Sequence, residues 1–151
     1  MLINVMEGVE DIPGVVMTEG LPWDWETFPE YLETVAAGRR DIDIAAYLPH
    51  SPLRVYAMGE RGAAREVATE DDLALMRRLT AEAMRAGALG FATSRLSIHK
   101  TADGEAIPTF DTDIAELEAI TRGMADVGAG TFQVVLDAFV GWDKEYAVIE
   151  R

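Results

Sequence analysis

The chain has no cysteine and only two histidines in 151 residues. Disulfides, thiolate metal sites and cysteine nucleophiles are therefore excluded, and any metal centre would rest mostly on carboxylates. Basic side chains are scarce, 13 against 27 acidic ones, for a net charge of -14. A field of that sign repels phosphate backbones and anionic membranes, so nucleic-acid and membrane partners are not expected. No apolar run approaches the roughly 20 residues of a membrane span. The opening residues Met1 to Glu7 lack the basic and apolar regions of a secretory signal, which makes a cytoplasmic location the expectation.

What the chain has is an ordinary hydrophobic fraction, 49%, at a length that fits one domain. The first 22 residues read as loop or short strand, with turn signals at Asp11-Ile12-Pro13-Gly14 and Gly20-Leu21-Pro22. Thr27 and Glu30 have capping-box spacing, Pro29 suits a first turn, and Phe28, Tyr31, Leu32 and Val35 form one helical stripe ending at Gly38. Ile42, Ile44, Ala46 and Leu48 alternate as a strand that Pro49 stops. A short helical turn over 52–58 and a polar loop, Gly59-Glu60-Arg61-Gly62, follow.

The clearest helix begins at the Thr69–Asp72 cap and carries Leu73, Met76, Leu79, Ala83 and Met84 to a stop at Gly87. A strand over 88–92 comes next, then a long polar loop over 93–110. Asp113 and Glu116 have the spacing of another cap, before the stripe Ile114, Leu117, Ile120, Met124 and Val127 and a closing Gly128. A third strand over 131–136 ends at Asp137, and a further helix opens at Trp142. Alternation of this kind predicts an α/β fold with mostly parallel strands. The links into strands are short and those out of strands long, which points to a site at the strands' carboxyl ends.

Chemistry-bearing residues gather there. His50, between Pro49 and Pro52, reads either as a turn histidine on a backbone carbonyl or as a pocket histidine. Ser94, Arg95, His99 and Lys100 form a local basic cluster, in which Arg95 suits a two-pronged hold on a carboxylate; the same charges could instead pair with Asp103 and Glu105. Ser94 lacks the nucleophile-elbow glycine two residues on, where Leu96 stands. Gly59 to Gly62 lacks the lysine of a phosphate loop. Asp137 reads as an acid, base or ligand, or as a cap for the next helix. Trp23 to Glu26 read as a packing lid in preference to a carbohydrate platform.

Several stretches carry a resemblance: Met6 to Pro13, Glu19 to Leu32, Leu53 to Gly59 and Ala86 to Arg95. In order and spacing they resemble N-acyl-D-amino-acid deacylases (D-aminoacylases) of the amidohydrolase superfamily. The resemblance implies a partial (β/α)₈ TIM barrel, about three strand–helix units, with residues 1–151 an internal fragment of one metal-dependent amidohydrolase barrel domain. It implies hydrolysis of the amide bond of N-acyl-D-amino acids or similar linear amides, with zinc in the full-length parent.

The family's early His-x-His pair and Asn-Cys-Gly segment have no match in this chain, and its late-strand aspartate would fall beyond Arg151. The third strand, Phe132 to Asp137, lacks the histidine that relatives carry there. No metal ligand is carried over, and the fragment alone is expected to be inactive. Arg95, His99, Lys100, Ser94 and His50 are expected on the substrate side. Self-association through uncovered barrel edges is a further expectation. The alternative reading is a small non-catalytic α/β domain that binds a ligand or partner.

Overall fold

A computed structural model describes residues 2–137, 139 and 142–150. Its centre is a three-stranded parallel sheet in the order β1 (Tyr47–Pro49), β2 (Gly90–Ser94), β3 (Thr131–Val135). The register pairs Leu48 with Phe91 and Phe91 with Phe132, and Pro49 with Ala92. The Phe91 and Phe132 rings stack at 5.7 Å, and Phe91 is fully buried. Parallel strands need crossovers, and both connections here contain helices.

The helices form where their ends are capped. In α3 (Phe28–Ala37), Thr27 and Glu30 make the full capping box, with Gly38 as the stop. In α6 (Glu70–Ala86), Thr69 and Asp72 do the same, and Gly87 closes the helix at φ +107. Asp72 is held at a pKa of about 2, chiefly by the Arg61 guanidinium, despite partial burial. Helix α7 (Ile114–Ala125) packs along α6. Gly123 makes that approach possible, since a Cβ there would lie 2.4 Å from the Arg77 carbonyl oxygen. The core joins Leu48, Leu53, Met76, Met84, Phe91, Leu117 and Ile120 across sheet and helices.

Five expectations need correction. Residues near the N-terminus are helical, as α1 (Leu2–Glu10) and α2 (Gly14–Gly20), where loop or short strand is expected. Tertiary contact overrides propensity there. The Ala102 N–H donates to the Asn4 carbonyl, and a Cβ on Gly8 would strike the Lys100 carbonyl oxygen at 2.2 Å, so glycine marks a close approach and not a turn. Strand β1 is only three residues long; Ile42 and Ile44 lie outside the ladder, 77% and 51% exposed. The reason is the partner. Helix α6 occupies the chain up to Ala86, and β2 offers nothing to pair before Leu89, whose N–H donates to Ala46.

The turn expected over 52–58 is a nine-residue helix, α4 (His50–Met58), that starts directly from β1 without a loop. The polar loop at 59–62 contains a short helix, α5 (Glu60–Ala63), entered at Gly59 with φ +61. The long 93–110 segment is polar in sequence yet buries Ile107 and Thr109. Helix α8 (Trp142–Ile149) forms where it is expected; Met1 and Arg151 lie outside the described residues.

Gly90 is the tightest point of the sheet. A Cβ there would sit 1.9 Å from the Thr131 carbonyl oxygen, and β2 is the central strand, so neither neighbour can yield. Gly90→Ala is expected to lower stability by about 3 kcal/mol through overpacking, read as the shift of a urea midpoint. A shift under a third of that would show that the β2–β3 contact is looser than described.

Candidate functional site

Because the three strands run parallel and in register, their carboxyl ends meet at one end of the sheet. His50 follows β1, Thr93 to Arg95 close β2, and Asp137 lies two residues beyond β3. The expected site residues other than Lys100 are thereby brought to one end, in two clusters.

The first cluster is sealed. His50 is 2% exposed, and its Nε2 lies 2.8 Å from Glu116 Oε1 while its Nδ1 lies 2.8 Å from Thr93 Oγ1. A carboxylate only accepts, so Nε2 carries the proton and Nδ1 accepts from the Thr93 hydroxyl. The other Glu116 oxygen receives Arg54 Nη1. Arg54 also donates through Nε to the Gly62 carbonyl at 3.1 Å and through Nη2 to the Glu66 carbonyl. The Phe91 ring stands edge-on to the imidazole at 5.0 Å.

Burial is the largest influence on His50 and pushes its pKa down, outweighing the pull of Glu116, so the ring is neutral. Burial alone pushes the Glu116 carboxyl up. The hydrogen bonds from His50 and Arg54, with the charge of the Arg54 guanidinium, outweigh that and hold it below the ordinary carboxylate range. With His50 neutral, Arg54 is the counter-ion. The arrangement is a satisfied buried ion pair with a histidine clamp, and neither reading of His50 taken from the sequence, backbone bond or open pocket, describes it.

The second cluster lies at the end of β2. Ser94 Oγ is 2.8 Å from His99 Nδ1 and accepts the Leu96 N–H at 3.3 Å. Arg95 pairs with Glu145 of α8, not with Asp103 or Glu105, and donates to the Thr112 carbonyl at 3.0 Å. Asp137 is fully buried; its carboxylate accepts the Ser97 and Phe139 N–H groups, each at 2.8 Å. Those bonds fix the turn after β3 and the loop after β2 together. Lys100 stands apart, its Nζ 5.7 Å from the Phe110 ring centre, in an isolated bridge to Ala106.

Reasoning from sequence missed Arg54, Glu116 and Glu145. Glu116 has cap spacing with Asp113, but the Asp113 side chain alone caps α7, accepting from Ala115 N–H. Its true role had a signal. Glu116 falls four and eight residues before Ile120 and Met124, a carboxylate on the apolar stripe, and His50 and Arg54 are one turn apart on α4.

No family model matches the chain, and no solved structure matches it. A stretch of 78 residues, 52% of the chain, is 33% identical to the D-aminoacylase of Alcaligenes xylosoxydans xylosoxydans, and covers 16% of that protein. The relation is distant. The chain thus spans a small share of the relative it matches. Among the described residues no group of three or more His, Asp or Glu could hold a metal ion. His50 and Glu116 are turned to each other and to Arg54, so the residues present do not fit the zinc that the resemblance implies. Among the described residues no helix is long and apolar enough to cross a membrane.

The clamp has a pH signature. The folded His50 resists a proton that the unfolded chain accepts near 6.5, so stability is expected to fall as pH drops below that value, by at most about 1.4 kcal/mol per pH unit. Glu116 adds to the loss only below about 4.5, the ordinary value from which its folded pKa is depressed. His50→Gln should flatten the stability profile between pH 6.5 and 5 in urea titrations. An unchanged slope in the variant would contradict a neutral buried ring.

Proposed function

We propose that this chain is part of a metal-dependent amidohydrolase barrel that hydrolyses the amide bond of N-acyl-D-amino acids or similar linear amides. The observation that carries the reading is the 78-residue similarity to a D-aminoacylase. The architecture is compatible with it: parallel strands joined through helices, with the titratable residues at the strands' carboxyl ends, where barrel enzymes build their sites.

In this reading the end of β2 is the substrate side. Arg95 and Lys100 supply positive charge for a substrate carboxylate, and the Ser94–His99 pair supplies a hydroxyl and an imidazole for the acyl amide. His50 acts behind them as a sealed support, through its bond to Thr93, the residue preceding Ser94. The zinc implied by the resemblance would be held by residues outside this chain, which therefore binds without turnover. As a piece of a barrel, the isolated chain leaves β1 and β3 with one ladder partner each among the described strands, an arrangement that favours self-association.

Titration with N-acetyl-D-alanine, followed by amide NMR, tests the reading. Resonances of residues 94–100 should move while those of α3 stay in place, and no hydrolysis should exceed a zinc-only control. A spectrum that does not respond at 94–100 would remove the proposal, and turnover by the isolated chain would contradict its division of labour.

A further inference from the structure

Arg95 already holds a carboxylate. Its Nε donates to both oxygens of Glu145, at 3.2 and 3.1 Å, with the two side chains 10% and 4% exposed. Nη1 is taken by the Thr112 carbonyl, and Nη2 donates to no acceptor among the described residues. One N–H shared between two oxygens is a poorer arrangement than the two parallel bonds that a guanidinium can give a carboxylate. The same chain shows the better form elsewhere. Arg77 grips Asp126 through Nε at 2.7 Å and Nη2 at 2.6 Å, one nitrogen per oxygen.

Glu145 reaches Arg95 from α8, 50 residues away, across the carboxyl end of β2. It also lies 3.5 Å from the Asp137 N–H, so it covers the point where the β2 and β3 ends meet. A second carboxylate arriving at Arg95 would find Nη2 and the Nε edge as a complete fork once Glu145 left.

We infer that the Arg95 guanidinium is a binding site for the carboxylate of a small ligand, and that Glu145 is its internal occupant, displaced when the ligand binds. This deepens the functional reading above and rests on it for the identity of the ligand, an N-acylated amino acid with a free α-carboxylate. Binding then depends on the difference between the one-nitrogen hold on Glu145 and the two-nitrogen hold on the ligand. Substrate entry would be coupled to release of α8 from the strand ends.

The test is a set of NMR titrations of the 151-residue chain with acetate, N-acetyl-D-alanine and the carboxylate-free N-acetyl-D-alaninamide. In Glu145→Gln both carboxylates should bind about tenfold more tightly than in the wild type, the value of one charge-assisted bond no longer to be displaced. The amide should gain nothing, and Arg95→Gln should lose both carboxylates. Equal affinities in wild type and Glu145→Gln would overturn the inference and leave the pair a structural tie for α8.

If Glu145→Gln does not fold, the wild type still decides the matter. Saturating acetate should move the Glu145 side-chain carboxyl resonance, and an unmoved resonance counts against displacement. Tightening for acetate with no extra affinity for N-acetyl-D-alanine would uphold the carboxylate site and defeat the functional reading instead.

Discussion

The buried contact of Arg54, Glu116, His50 and Thr93 is the constraint on which the rest of the molecule depends. It ties α4 to α7 and to the end of β2, and through the Gly62 and Glu66 carbonyls it also fixes the turn that contains α5. Each atom in it has a partner, and among the described residues no buried side-chain nitrogen or oxygen is left unsatisfied. A network of this kind is costly if any member is missing, because a buried charge without its counter-ion is strongly destabilising. That asymmetry fixes one arrangement of the elements. Apolar packing around Phe91 supplies the bulk of the burial; the polar contact determines which helix faces which strand.

Its position also shapes the site. By taking His50 and Glu116 out of play, the network leaves Ser94, Arg95 and His99, partly buried, and Asp137, fully buried, as the other chemical groups at the strand ends. Asp137 holds the loops after β2 and β3 together, and Glu145 sits on Arg95. The result is a polar surface at the strands' carboxyl ends whose groups are already hydrogen-bonded to partners within the chain. Functional residues at strand ends and stabilising residues just behind them are the division of labour expected of α/β folds. The distant similarity to a D-aminoacylase agrees with such a surface without assigning its reaction.

Much of the fold was legible in the sequence where local chemistry decides structure. The Thr27–Glu30 and Thr69–Asp72 boxes and the left-handed Gly87 are local devices, and each forms as its spacing predicts. The parallel sheet was legible from the alternation of strand and helix. What was not legible depends on contacts far apart in the chain. The first 22 residues read as loop or short strand because nothing local reveals the Lys100–Ala102 backbone that approaches Gly8 of α1. Ile42 and Ile44 alternate like a strand but have no partner to pair with. At the site, Ser94, Arg95, His99 and His50 were placed at the correct end of the sheet. Their partners were not, since Glu116 and Glu145 lie 66 and 50 residues from the groups they bind.

The neutral, Nε2-protonated imidazole of His50 is the central claim, and long-range ¹H–¹⁵N NMR of the histidine rings tests it most directly. The account predicts that His50 shows the pattern of the neutral Nε2–H tautomer at pH 6.5, where an ordinary imidazole is half protonated, with Nδ1 shifted by its bond from Thr93. An imidazolium pattern for His50 appearing near pH 6.5, or an Nδ1–H tautomer, would contradict it.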